Sequence, residues 1–357
     1  MSQILRGNEA ARFGCDFVLE LPSGRAGSDI VLLQLTDTQI IDESQARTPE
    51  RLRHDERSAW ARENIRVNCY DHILSLVAQA RPDMIFFTGD IVYGSFDDSG
   101  ETLAGFIDFM DSLGIPWALT FGNHDNESAI GVDRQCEMLA NAQHCMFARG
   151  SVTGNSNYSV GVSVGGSLKR VMYFIDTHGC LREKGVLPDQ IEWLTGAGNE
   201  VQKACGPVPG MLAFHIPIDR FREADFAKGY ASEEKPDFII GVDVPARDGD
   251  FGFRLENARY IPTGEDFSAA MAACRVDGVF VGHCHKIATR VLHENVQWVF
   301  GLKTGQYDYH LEGQLGGTMI RVKAIDNSFS VHCLPVLLPL GPFPSKGPVY
   351  TKDFLLD

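Results

Sequence analysis

Five short segments of the sequence share one pattern, in which a run of apolar residues leads directly into polar residues. The segments are Leu33–Gln39, Phe86–Asp90, Thr120–Asp125, Leu212–His215 and Val279–His285. Apolar runs of this length are typical of buried strands, and residues just beyond the strand ends of an open α/β sheet converge on one crevice. We therefore expect the polar residues of all five segments to meet in the folded chain.

These polar residues are of the types that bind divalent cations. Carboxylate, amide and imidazole groups suit hard or borderline ions. The residues that supply them are Asp37, Asp90, Asn123, His215, His283 and His285. A glycine precedes Asp90, Asn123 and His283, where it would allow the backbone to turn sharply and approach an ion closely. A single Gly-Asp is usually only a turn, and a single histidine is more often a packed polar residue, so the ordered set is what indicates a metal site.

The first half of the chain alternates apolar runs with amphipathic segments, which is typical of a sheet with helices on both faces. The predicted strands are Ile30–Thr36, Met84–Thr88, Trp117–Phe121, Val171–Asp176 and Met211–Phe214. The predicted helices are Arg53–Ala80, Glu101–Leu113, Asp133–Ala142 and one that begins near Pro188.

The second half ends in strands without helices between them, which favours a second sheet layered on the first. These strands are Val279–Val281, Thr289–Leu292, Val296–Phe300, Thr318–Val322 and Phe329–Leu334. Residues 219–264 show no sustained period and are rich in charge, glycine and aromatic residues. We predict that they form an irregular insertion near the active face, within a single domain that spans residues 1–357.

Composition limits the classes of partner and compartment. The formal net charge of −15 disfavours a nucleic-acid-binding patch or binding to anionic lipid, because both need basic surfaces. Nine scattered cysteines without a C-x-x-C pair are best explained as reduced core thiols. The N-terminal residues contain no apolar run of signal length, and no later run approaches the roughly 20 apolar residues of a membrane span. We expect a cytoplasmic protein.

The order of the motifs resembles the calcineurin-like metallophosphoesterase superfamily. The motifs are D-x-Q at Asp37, G-D at Gly89, G-N-H-D at Gly122, an isolated His215 and G-H-x-H at Gly282. This resemblance covers residues 31–285 and implies an α/β fold, a four-layer αββα sandwich of two mixed β-sheets flanked by helices. It also implies two divalent or mixed-valence ions of Mn, Fe or Zn, and hydrolysis of a small-molecule phosphate ester.

The resemblance also implies roles for individual residues. Asp90 would bridge the two ions; Asp37, Gln39 and His285 would complete the shell of the first ion, and Asn123, His215 and His283 that of the second. Outside the metals, His124 would protonate the leaving alkoxide, and Asp125 would orient its ring.

Three alternatives remain open at this stage. Most relatives have His where this chain has Gln39, and a similarity to branches that hydrolyse nucleoside diphosphate compounds favours a phosphodiester or pyrophosphate substrate over a monoester. The G-D-x-x-Y at Gly89 resembles purple acid phosphatases, in which the residue matching Tyr93 binds ferric iron, although we favour Gln39 as the ligand. An inactive, metal-stabilised binding protein is the third alternative, and retention of His124 argues against it. Lys303 and His310 are further candidates to contact a substrate phosphate.

Overall fold

Two β-sheets organise the part of the chain that the computed structural model describes, which comprises residues 2–41, 65–178, 185–264, 266–311 and 313–337. The strands are β1 Gln3–Arg6, β2 Phe17–Leu21, β3 Ile30–Leu35, β4 Met84–Thr88, β5 Trp117–Thr120, β6 Tyr158–Val164, β7 Ser167–Phe174, β8 Gly210–Ala213, β9 Phe238–Ile239, β10 Phe251–Arg254, β11 Val276–Val281, β12 Ile287–His293, β13 Val296–Phe300, β14 Gly316–Val322 and β15 Phe329–Pro335. The helices in these ranges are α1 Asn8–Ala11, α2 Ile65–Ala80, α3 Glu101–Ser112, α4 Val132–Asn141, α5 Pro188–Cys205, α6 Asp219–Ala227 and α7 Phe267–Ala273.

The smaller sheet has five strands in the order β15-β14-β3-β4-β5. Its strands β3, β4 and β5 are parallel neighbours, so their carboxyl ends lie at one edge. The strand β14 pairs antiparallel with both β3 and β15, which makes the sheet mixed.

The larger sheet has ten strands in the order β1-β2-β6-β7-β8-β11-β13-β12-β10-β9. Its centre is parallel, because β7, β8, β11 and β13 run in one direction. Antiparallel strands extend it on both sides, among them β12, which pairs with β13 and β10.

The two sheets pack face to face through large apolar side chains. Phe86 of β4 meets Phe174 of β7 and Phe280 of β11 edge to face, with ring centroids 6.4 and 5.8 Å apart. One core cluster fills this space and continues under α2, α3 and α4, while a second lies between the ten-stranded sheet and α5, α6 and α7. The predicted four-layer α/β sandwich of two mixed sheets is therefore confirmed.

The structure corrects one prediction about the last strands. They do not form a sheet of their own: β12 and β13 join the ten-stranded sheet, whereas β14 and β15 join the five-stranded sheet. Apolar periodicity identifies a strand but not its partner, and here β13 pairs with β11 and β14 with β3. Of the predicted helix Arg53–Ala80, residues 53–64 lie outside the described residues.

Residues 219–264 are more regular than predicted. They contain the helix α6 and the strands β9 and β10, which extend the ten-stranded sheet at one edge. Two of these elements have only two and four residues, which is too short for a period of side chains to be visible.

Two expectations from composition can be compared with the described ranges. The eight cysteines found there form no disulfide, and seven of them are buried. None of the helices described combines the length and the apolar character that a bilayer crossing requires.

Candidate active site

The predicted site residues all follow the carboxyl ends of strands. Asp37 and Gln39 follow β3, Asp90 follows β4, Asn123 follows β5, His215 follows β8, and His283 and His285 follow β11. Because each sheet is parallel here, these ends meet at one edge of the sandwich. We call Asp90, Asn123, His215 and His283 the Asp90 half of the site, and Asp37, Gln39 and His285 the Asp37 half.

Side chains of the Asp90 half lie close together. The Nε2 atom of His215 is 3.2 Å from Asp90 Oδ2 and 3.2 Å from Asn123 Oδ1. It is also 3.3 Å from His283 Nδ1. Ligand atoms of Asp90, His215 and His283 all lie within 4.8 Å of one another, so these residues could hold one metal ion.

A backbone carbonyl group on the side away from the site orients the His215 ring. Its Nδ1 lies 2.7 Å from the carbonyl oxygen of Thr88, and since a carbonyl only accepts, Nδ1 carries the hydrogen and Nε2 faces the site. Metal-binding histidines are commonly held in this way.

Positive charge is strongly favoured between these groups. Burial alone would lower the pKa of His215, but the charge and hydrogen bond of Asp90 raise it to about 9. Burial and the neighbouring His215 charge lower the pKa of His283 to about 3. Only one of the two facing imidazoles can therefore carry a positive charge. A bound cation would instead accept the lone pairs of both facing nitrogens.

The Asp37 half repeats part of this arrangement. His285 Nε2 lies 3.3 Å from Asp37 Oδ1, and His285 Nδ1 lies 2.9 Å from the carbonyl oxygen of Tyr309. Asp37 Oδ2 accepts hydrogen bonds from Thr36 Oγ1 at 2.7 Å and from the His283 amide at 3.0 Å. Asp37 Oδ1 is buried beside His285 Nε2, so these two atoms are placed to bind the same cation.

Gln39 makes a different contact from the one predicted. Its Oε1 accepts a hydrogen bond of 2.7 Å from Lys303 Nζ, which also donates to the Asp37 carbonyl over 2.9 Å. Lys303 is buried, and its Nζ is hydrogen-bonded within the Asp37 half, so a contact between Lys303 and a substrate phosphate stays a prediction. Burial lowers the pKa of Lys303, and the charges of Asp37 and Asp308 oppose that shift.

The candidate acid His124 is held by Glu127, not by Asp125. Its Nδ1 lies 2.8 Å from Glu127 Oε2, and its backbone amide donates to Asp90 Oδ1 over 2.8 Å. Its ring stacks on Tyr93 with centroids 4.1 Å apart, which makes Tyr93 a wall beside this imidazole.

The Asp125 side chain accepts hydrogen bonds from backbone amides and not from the His124 ring. Its carboxylate accepts hydrogen bonds from the amides of Asp90, Ile91, Val92 and Gly122 over 2.8 to 3.0 Å. Burial and the nearby Asp90 charge raise the pKa of Asp125 to about 7. The predicted role for Asp125 in orienting His124 is therefore wrong, because its oxygens are taken up by the loop that carries Asp90.

The backbone is strained where ligands are predicted. Asp37, Gln39, Asp90 and His283 have φ values of 52°, 46°, 54° and 70°. Such left-handed conformations cost about 1–2 kcal/mol each for residues other than glycine. Strain of this kind concentrates at functional sites.

Glycines in the motifs allow the loops to approach one another. A Cβ atom at Gly89 would lie 2.6 Å from His215 Nδ1, one at Gly122 would lie 2.2 Å from Asp90 Oδ1, and one at Gly282 would lie 2.7 Å from Asp37 Oδ2. A side chain at any of the three positions would therefore collide with the side chain of a candidate ligand, while the predicted approach of these glycines to an ion stays a prediction.

Sequence reasoning missed Glu127 and the contact that Lys303 makes with Gln39. Glu127 lies three positions after His124, a spacing that places both side chains on one turn, so it could have been identified. The contact between Lys303 and Gln39 joins positions 264 residues apart, and no local pattern indicates it.

Comparison with known proteins gives consistent matches. A model of the family described as calcineurin-like phosphoesterase matches residues 30–286. An uncharacterized protein of Schizosaccharomyces pombe, C1020.05, is 26% identical over 42% of this chain and 30% of its own length. A protein of Arabidopsis thaliana called probable inactive purple acid phosphatase 28 is 28% identical over 42% of this chain and 44% of its own.

The chain thus spans less than half the length of these two relatives. Among solved structures, a dimetal phosphatase from Danio rerio is similar with a TM-score of 0.48 and 11% identity, covering 86% of this chain and 98% of that one.

Proposed function

Because the chain belongs to the calcineurin-like phosphoesterase family, we propose that it is a metal-dependent hydrolase of phosphate esters. The observation that carries this proposal is the convergence of the buried Asp90 and His215 with the partly buried His283, whose ligand atoms lie within 4.8 Å of one another. These residues come from three strand ends in two sheets, and a packing role alone does not require imidazoles to face each other.

Metal ions of Mn, Fe or Zn fit both halves in donor type. The Asp90 half would hold one ion with Asp90, Asn123, His215 and His283. Asp37 and His285, together with Asp90, would hold a second. Bound ions would lower the pKa of water and neutralise charge on the phosphoryl oxygens.

We assign proton transfer to His124. Glu127 holds the ring through Nδ1 at 2.8 Å, which makes Nε2 the nitrogen that would donate to the leaving oxygen. The hydrogen bond from the His124 amide to Asp90 Oδ1 fixes the distance between this residue and the metal-binding half. Stacking on Tyr93 restricts the plane of the ring.

The substrate class that we propose to test first is a small phosphodiester or pyrophosphate, with a phosphomonoester as the alternative. Gln39 favours the first class through its similarity to branches that hydrolyse nucleoside diphosphate compounds, but its amide oxygen accepts a hydrogen bond from Lys303. The discrimination therefore has to come from direct comparison of the two ester classes.

The test uses the purified full chain, stripped of metal and reloaded separately with Mn²⁺, Fe²⁺ or Zn²⁺. Turnover of bis(p-nitrophenyl) phosphate, p-nitrophenyl phosphate, nucleoside diphosphate compounds and phosphopeptides is measured beside an Asp90→Ala control. We expect metal-dependent turnover in the wild type only. Metal binding without turnover of any ester would instead indicate the inactive binding protein, and a chain that binds no metal would contradict both readings.

A further inference from the structure

Lys303 is a buried lysine whose nitrogen lies inside the Asp37 half of the site. Its exposed fraction is 1%, and its Nζ donates to Gln39 Oε1 and to the Asp37 carbonyl over 2.7 and 2.9 Å. Burying an ammonium group is costly unless it is paired and hydrogen-bonded, so these contacts are part of what holds it there.

This contact occupies one of the two lone pairs of Gln39 Oε1, the atom of that side chain that could bind a metal. An amide binds a cation through its oxygen, because its nitrogen is a donor. If the amide turned its oxygen toward an ion, its NH₂ group would face Lys303 Nζ, donor against donor. An ion bound to Gln39 would therefore either lose the hydrogen bond to Lys303 or share the Gln39 oxygen with the Lys303 ammonium group at close range.

The charge of Lys303 acts on the two halves unequally. Its nitrogen contacts two residues of the Asp37 half, and a cation bound there would meet a like charge nearby at reduced dielectric. The contacts that define the Asp90 half are made by carboxylate, amide and imidazole groups. They do not include a lysine.

We propose that Lys303 makes the two metal positions unequal, so that the protein retains one ion in the Asp90 half and binds a second in the Asp37 half much more weakly. This inference rests on the proposed function, because it presupposes that the site binds metal. The weakness is assigned to Lys303 and not to the donor strength of Gln39.

The experiment measures metal content of the full chain by elemental analysis after dialysis into metal-free buffer, followed by calorimetric titration with Mn²⁺. Wild type should retain about one ion per chain, and Lys303→Met should retain two, its second ion binding at least about 10-fold more tightly, or about 1.4 kcal/mol. Lys303→Gln keeps a donor and removes the charge, so it separates the two effects and provides a second variant if one folds poorly. Lys323→Met, at a lysine that pairs with Asp29 over 3.2 Å, is the matched control and should behave as wild type.

The outcomes distinguish this inference from the proposed function. If Gln39→His tightens the second ion while both Lys303 variants leave it unchanged, the donor strength of Gln39 is the cause and the inference is wrong. Wild type that holds two ions of equal affinity would also overturn it, yet would leave the proposed function intact. A wild type that binds no Mn²⁺, Fe²⁺ or Zn²⁺ would remove the proposed function itself.

Discussion

The Asp90 half and the Asp37 half of the site use similar ligands in different surroundings. In the Asp90 half, His215 Nε2 lies within 3.3 Å of Asp90, Asn123 and His283. In the Asp37 half, the third predicted ligand, Gln39, is hydrogen-bonded to a buried lysine. The comparison shows that a motif can be complete in sequence while a residue distant in the chain, here Lys303, changes the surroundings of one of its predicted ligands.

Removing Asp90 should have the largest effect, because it is the carboxylate assigned to both ions. We expect Asp90→Ala to lose metal from both halves and to reduce turnover to background. Elemental analysis and kcat measured on the same preparation test this. One position that survives at wild-type affinity would show that the halves do not share this carboxylate.

The paired variants His283→Ala and His285→Ala compare the two halves directly. His283 faces His215 in the Asp90 half, so its loss should release the tightly held ion. His285 contacts Asp37, and its loss should leave that ion in place while weakening the second. Mn²⁺ titration of both variants is the measurement, and an identical loss in the two would contradict the division into halves.

Substitution of His124 tests the role of a residue that adjoins the Asp90 half but is not assigned as a ligand. We expect His124→Gln to lower kcat by roughly 10²–10⁴-fold, as is usual for a lost general acid, with metal content unchanged. The deficit should shrink for esters with acidic leaving groups, which need little protonation. Loss of metal in this variant would mean that His124 is a ligand.

Substitutions at Glu127 and Asp125 should have different effects, the first on kcat and the second on the free energy of unfolding. Glu127→Gln should lower kcat by about 10-fold, as is typical when a group that orients a functional histidine is changed, without altering the melting temperature. Asp125→Ala leaves four backbone amides without their acceptor, and should destabilise the fold by at least about 3 kcal/mol. Thermal unfolding and kcat for both variants test this assignment, and the reverse pattern would restore Asp125 as the partner of His124.

The smallest effect is expected for Tyr93→Phe. Its ring stacks on His124, and phenylalanine preserves that contact, so metal content and colour should not change. A coloured wild type whose absorption band disappears in this variant would show that Tyr93 binds ferric iron. The Asp37 half would then resemble that of purple acid phosphatases.

The positions of the ligands were predictable, because parallel strands carry whatever follows them to a common edge. Asp90 and His215 could be placed together from their strands alone. The hydrogen-bond partners of individual side chains at that edge were less predictable. Asp125 is adjacent to His124 in sequence, but neighbouring residues of a turn point in different directions, and Glu127 provides the contact. Lys303 was a candidate from sequence, but its burial and its contact with Gln39 could not be predicted, since lysine is rarely buried and its partner is far away in the chain.

The left-handed backbone at Asp37, Gln39, Asp90 and His283 has a consequence for how this chain can change over generations. Glycine adopts such conformations without the strain of about 1–2 kcal/mol, although at Asp37 and Asp90 it would also leave the amides of His283 and His124 without their acceptors. At these four positions the backbone conformation favours glycine, whereas metal binding requires a ligand side chain. We therefore expect the ligands to persist only under selection for what they bind.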